Sequence, residues 1–170
     1  MKRLLLAATA LAFVASPLTA GPVEDYEQLR EDVWEDMLDD SPTLATSVGD
    51  RRGDGKLGDM SMAAYEENIA EDRAFLARLN AIDESALPED LRVDYAILKS
   101  SLEDGLESAQ FAQDRYILFT NRGGWFTYFA SLPYSSPLFT LADYESYVAR
   151  LEAFGAMNEA GLARSREAVA

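Results

Sequence analysis

The sequence predicts a mainly all-α fold. Apolar residues return every three to four positions in four separate segments. No segment of comparable length alternates with a period of two. Proline and Thr/Asp cap signals fall at the segment edges, where helices start and stop.

The first twenty residues stand apart. Lys2 and Arg3 precede an apolar run from Leu4 to Ala15. Pro17 ends that run, and Leu18-Thr19-Ala20 offers a cleavage signature before Gly21. This is the layout of a secretory signal peptide. The run is shorter than the ~20 apolar residues a membrane span needs, so no span is expected once the signal is cleaved. The expected domains are 1–20 as signal and 21–170 as a helical region. With no cysteine, disulfides play no part. Export without them fits a bacterial periplasmic or secreted protein.

Helix one is expected from about Val23 to Asp39, with Val23, Tyr26, Val33, Trp34, Met37 and Leu38 on its stripe. Pro42 stops it, because the residue before a proline leaves helical geometry. Helix two runs from about Met62 to Ile82, with Asp59 or Ser61 as cap. Its stripe is Met62, Tyr65, Ile69, Leu76, Leu79 and Ile82, and Glu66, Glu67, Glu71 and Asp72 fall on a solvated face. Helix three starts near Pro88, a good first-turn residue, and carries Leu91, Tyr95, Leu98, Leu102 and Leu106.

Residues 112–139 break the pattern with aromatics, Gly123-Gly124 and two prolines, and "RYILF" (115–119) suggests a short strand. Helix four opens at Thr140, with Asp143 at capping-box spacing and Phe139 and Tyr144 placed for a hydrophobic staple. Tyr144, Tyr147, Val148, Leu151 and Phe154 form its expected buried stripe. The helical pattern runs to Ala170 without a C-cap, as if cut from a larger domain.

Composition narrows function. The leader holds two of the 15 Lys and Arg, so 13 remain against 30 Asp and Glu, a net charge of −17. Nucleic acid needs a basic footprint and is excluded as a partner. The chain has no His and no Cys. That removes Ser-His-Asp and Cys-His catalysis and the usual zinc ligand sets, so neither a catalytic residue nor a metal ligand is assigned.

The segment "TSVGDRRGDGKLGDMS" (46–61) invites two specific readings and supports neither. As a calcium loop starting at Asp50 it places Arg52 at position 3 and Ser61 at position 12, where oxygen ligands are required. Arg52-Gly53-Asp54 spells an adhesion tripeptide, but three common residues carry little specificity. The expected role is a structural loop, with Asp50 and Arg51 as a buried pair that pins it and Asp59 as a cap. Arg150 can pair with an acid one turn earlier on its helix, but its i−4 and i−3 neighbours are Ser146 and Tyr147.

"NRGGW" is the candidate contact. Gly123-Gly124 bring backbone N–H groups close to a ligand, and Asn121, Arg122, Trp125 and Tyr128 stand ready to bind a peptide backbone or carboxylate. A Gly-Gly turn that packs aromatics into a core is the competing reading and weighs more heavily.

The order of these features resembles a bacterial family known as "domain of unknown function 885". The resemblance is carried by "ATSVGDRRGDGKLGDMS", by "LARLNAID" before "LPEDLRVDYAILKSSLEDGLE", by "NRGG", and by "FTLADYESYVARLEAF". It implies an exported, mostly helical protein longer than this chain. Many family members carry a downstream His-Glu-x-x-His and so look like zinc metallopeptidases acting on peptides or other small substrates. With no histidine, this chain matches only an N-terminal portion, truncated at its C-terminus. Zinc is implied only if such a downstream region exists. The implied role is a non-catalytic part of a substrate-cleft wall. The alternative is a freestanding, acidic, helical periplasmic binding module with "NRGGW" as its contact.

Overall fold

The computed structural model describes residues 21–111, 116, 119–120 and 122–169; the expected signal peptide lies outside them. The architecture is mainly helical. Helix α1 spans Pro22–Asp40, α2 Pro42–Ser47, α3 Met62–Ala81, α4 Glu89–Ser108, α5 Trp125–Tyr128, α6 Leu132–Ser135 and α7 Leu141–Glu167. Short 3-10 turns lie at Arg51–Gly53, Glu84–Ala86 and Phe129–Ser131. Strands β1 (Phe119–Thr120) and β2 (Gly123–Gly124) pair antiparallel, Phe119 opposite Gly124 and Thr120 opposite Gly123. The strand expected over 115–119 is thus a two-residue rung at its far end; residues 115, 117 and 118 are outside the described set.

The core joins α1, α3 and α4. Tyr26, Leu29, Leu79, Leu87, Tyr95 and Leu102 are buried together, with Val33, Leu76, Leu91 and Leu98 packed around them. Tyr95 satisfies its hydroxyl by donating to the Leu79 carbonyl at 3.1 Å, which lets an amphipathic ring enter the core. Its ring centroid lies 5.9 Å from that of Tyr26. The α3 and α4 stripes are therefore as expected. The α1 stripe is rotated: Leu29 is buried, while Trp34 and Met37 stay 39% and 46% exposed. The i, i+3, i+7 row Tyr26–Leu29–Val33 faces the core, and Trp34 falls beside it.

The caps follow the chemistry of the sequence. Ser61 Oγ accepts the Ala64 N–H at 3.1 Å and starts α3, while Asp59 Oδ1 accepts the Ser61 N–H at 2.7 Å. Thr140 and Asp143 form the full capping box. The staple is absent, because Phe139 is 91% exposed.

The buried face of α7 differs most from expectation. Asp143, Arg150, Gly161 and Arg164 are buried, whereas Tyr144 and Val148 are about half exposed and Tyr147, Leu151 and Phe154 are only partly covered. Asp143, Arg150, Met157, Gly161 and Arg164 recur at 7, 7, 4 and 3 positions, a single helical row. The polar groups of the loop before α3 turn that row inward, and the apolar row is left facing out.

Candidate functional site

The loop between α1 and α3 is built around arginines. Asp50 caps the 3-10 turn, accepting the Arg52 N–H at 2.9 Å and Arg52 Nε at 2.8 Å. Arg52 also reaches Glu35 at 2.6 Å and Asp39 at 3.4 Å on α1. Arg51, expected to pair with Asp50, instead bridges Asp54 (Nε to Oδ2, 2.5 Å) and Asp143. Adjacent residues of a tight turn point apart, so Asp50 meets the arginine two positions on.

Arg150 reaches this loop from α7. It is fully buried and donates to the Gly53 carbonyl, to Thr46 Oγ1 at 2.5 Å and to Ser136 Oγ at 3.3 Å. These three contacts are to two hydroxyls and a carbonyl that lie outside the turn preceding it on α7. Sequence spacing held one usable signal: Arg150 lies two turns beyond Asp143, on the same face.

This geometry settles the tripeptide. Arg52 is held by three carboxylates, Gly53 is buried, and Asp54 is 6% exposed. Of the three, only Arg52 is exposed, and its guanidinium is engaged by those acids. The calcium reading fails as well, since Asp50, Asp54 and Asp59 each serve a different local partner.

The "NRGGW" residues divide. Asn121 lies outside the described residues, as does the side chain of Tyr128. Arg122 is exposed, and its backbone N–H donates to Thr120 Oγ1 at 3.2 Å. Gly123 and Gly124 are committed to the β1–β2 pair; Gly123 has φ +138°, a conformation open to glycine. Trp125 is half-buried. Its Nε1 donates to Asn158 Oδ1 at 3.2 Å, and its ring lies on Gly161, where an added Cβ would come within 2.8 Å. The packing role therefore holds for Trp125 and the two glycines.

Trp125 also faces a cavity of about 250 Å³, shared with Pro42, Leu57, Met60 and Met157 and edged by Asp40 and Asp59. The two segments singled out in the sequence, 46–61 and 121–125, thus meet at one concavity. A second, wider depression of about 600 Å³ is lined by Thr46, Arg51, Asp54, Tyr134, Ser136 and Phe139, among others.

The sequence pattern of a family described as "Bacterial protein of unknown function (DUF885)" matches residues 42–170. The chain belongs to the DUF885 family. No curated protein and no solved structure matches it. The match begins at Pro42, so it takes in the arginine-pinned loop, α7 and the Trp125 cavity except its Asp40–Ser41 edge. Among the described residues, no helix is long and apolar enough to cross a membrane.

On this DUF885 chain the acids of α1 and α3 form a further cluster. Ligand atoms of Asp36, Asp40 and Glu71 all lie within 4.8 Å of one another. Glu71 and Asp72, expected on the solvated face, are half-covered here; Glu66 and Glu67 are exposed. Burial, reinforced by Glu71 and Asp40, pushes Asp36 up to about 6. Burial first, and then neighbouring acids, also raise Asp40, Glu71 and Asp72. Asp143 moves the other way, down to about 2, chiefly through the hydrogen bond from Arg51 and then the backbone N–H groups of Thr140 and Phe139.

The two shifts have opposite consequences. A carboxyl raised on folding favours the folded chain below its folded value, so Asp36 makes stability rise as pH falls from about 6 toward 4. A carboxyl lowered on folding contributes above its unfolded value near ~3.9, and Asp143 loses that contribution as pH falls toward about 2. Thermal unfolding followed by circular dichroism should therefore show a maximum in Tm on the acidic side of neutrality. Asp36→Asn should raise Tm at pH 7 and flatten the rise between pH 7 and 4. A Tm that falls steadily from neutral pH downward would contradict this.

Proposed function

We propose that this chain is the N-terminal, non-catalytic helical part of an exported zinc-metallopeptidase-like protein, and that it forms one wall of the substrate cleft. The observation that supports this reading is an exposed apolar strip beside the wider depression. Tyr134 is 93% exposed, Phe139 91% and Leu141 75%, and Tyr144 and Val148 continue the strip along α7. A run of large apolar side chains on so acidic a surface marks a face made to be covered. The depression next to it, with Thr46 and Ser136 hydroxyls and the Arg51 guanidinium, has the mixed lining of half a ligand cleft.

The residues of this chain do not fit zinc. It has no His or Cys, and the Asp36–Asp40–Glu71 group offers hard oxygen donors that suit magnesium or calcium better. The zinc site and its catalytic Glu belong, on this reading, to sequence beyond Ala170. Partner and substrate follow from that: a peptide, or another small substrate, held between this wall and the catalytic part in the periplasm or outside the cell.

The isolated chain should bind a hydrophobic dye such as ANS or self-associate, and Phe139→Ser with Leu141→Ser should suppress both. Sharp two-state unfolding of a monomer that binds no dye would overturn the reading. It would favour instead a freestanding acidic binding module, for which the Trp125 cavity is the supporting observation.

A further inference from the structure

We propose that the cavity beside Trp125 receives an organic cation on an apolar stem, the chemistry of a lysine or arginine side chain. The inference goes beyond the cleft-wall reading and stands without it. At about 250 Å³ the cavity is at the small end for ligand sites, which suits one side chain.

Its walls are preformed. The indole of Trp125 is fixed by its hydrogen bond to Asn158 and by its seat on Gly161, which leaves no room for the ring to sink. Gly58 lies against the Asp40 carbonyl, where an added Cβ would stand 3.2 Å away, so the loop closely follows the end of α1. Pro42, Leu57, Met60 and Met157 supply further apolar surface. Thioethers adapt to an alkyl chain, and an indole face is the best aromatic partner for a cation.

Charge selects the occupant. Asp40 and Asp59 line the cavity. Asp40 also belongs to the Asp36–Asp40–Glu71 group. Among the described residues, no salt bridge joins any of those three to an Arg or Lys. Asn68 is the side chain that hydrogen-bonds Asp40. Lys56, next to Leu57 in the chain, is exposed, and among the described residues no Lys or Arg lines the cavity. An anion would meet like charge. A neutral side chain would gain the apolar contact but no attraction from the charges of Asp40 and Asp59.

The test uses Trp125 as reporter, with the other tryptophan removed by Trp34→Phe. Trp34 does not line the cavity. Emission is followed during titration with Nα-acetyl-lysine methylamide, Nα-acetyl-arginine methylamide, the neutral norleucine analogue, n-butylamine and calcium chloride. The cationic amides should give a saturable shift, about tenfold tighter than the norleucine analogue and weakened by salt. Asp40→Asn and, separately, Asp59→Asn should each weaken binding while the Tm at fixed pH shows that the variant is folded. Butylamine binding as tightly as the lysine amide would identify a free amine as the source of the cation; weaker binding would identify a peptide residue. Equal binding of the norleucine analogue overturns the proposal. So does the absence of any saturable response to the organic cations, or a response to calcium that they do not compete away.

Discussion

Gly53→Ala should cost about 3 kcal/mol or more and detach the arginine-pinned loop from α7. A Cβ at residue 53 would lie 2.0 Å from the Pro42 carbonyl oxygen, 2.7 Å from its carbonyl carbon and 2.9 Å from its Cα. All three are backbone atoms at the first residue of α2, and Pro42 is itself buried. No side-chain rotamer change relieves such a clash. The turn at 51–53 must move, and with it the carbonyl that accepts from Arg150. Chemical denaturation of Gly53→Ala beside Gly55→Ala checks this, because a Cβ at Gly55 meets its nearest neighbours at an ordinary 3.7 Å. Equal stability of the two variants would refute the close approach as the reason for glycine at position 53.

Arg150→Met should be of similar size, about 3 kcal/mol or more, for a different reason. Methionine keeps most of the volume and removes the donors. The buried Gly53 carbonyl and Thr46 hydroxyl each lose a charged partner, and hydrogen bonds to charged groups contribute ~1.5–3 kcal/mol apiece. Arg150→Lys should recover only part of the loss, since an ammonium is a point donor and these acceptors are spread across a guanidinium. Because Gly53 and Arg150 belong to one contact, the double variant should fall short of the sum of the singles. Additive losses in a double-mutant cycle would show that α7 and the loop are held independently.

The parts legible in the sequence are those governed by local rules. The stripes of α3 and α4, the Thr140–Asp143 box and the Ser61 cap follow from spacing and side-chain hydrogen bonding within a few residues. The short α2 was not visible, because Pro42 reads equally as the stop of one helix and as the N1 residue of the next. The buried face of α7 is not legible locally, because its apolar row, Tyr144, Val148 and Leu151, is the stronger periodic signal. Burial there is decided by Asp143 and Arg150, whose contacts to Arg51 and Thr46 span 92 and 104 residues of chain. No local pattern encodes that separation. The same holds for the Trp125 cavity: the glycines of "NRGGW" mark the hairpin, but Met60 and Met157 join the wall only through the fold. Likewise Glu71 reads as solvated until α1 places Asp36 and Asp40 against it.

The adhesion and calcium motifs of the 46–61 loop are thereby replaced by a structural role. Arg51 and Arg150 fasten it to the last helix, Arg52 fastens it to the first, and the family match extends across all of it.

On the proposal made above, this helical chain forms one wall of the cleft of a zinc-metallopeptidase-like protein whose catalytic residues lie elsewhere. Sequencing the gene past codon 170 tests it most directly. The predicted result is an open frame that continues in phase and encodes a His-Glu-x-x-His. A stop codon directly after Ala170, followed by unrelated sequence, would contradict it.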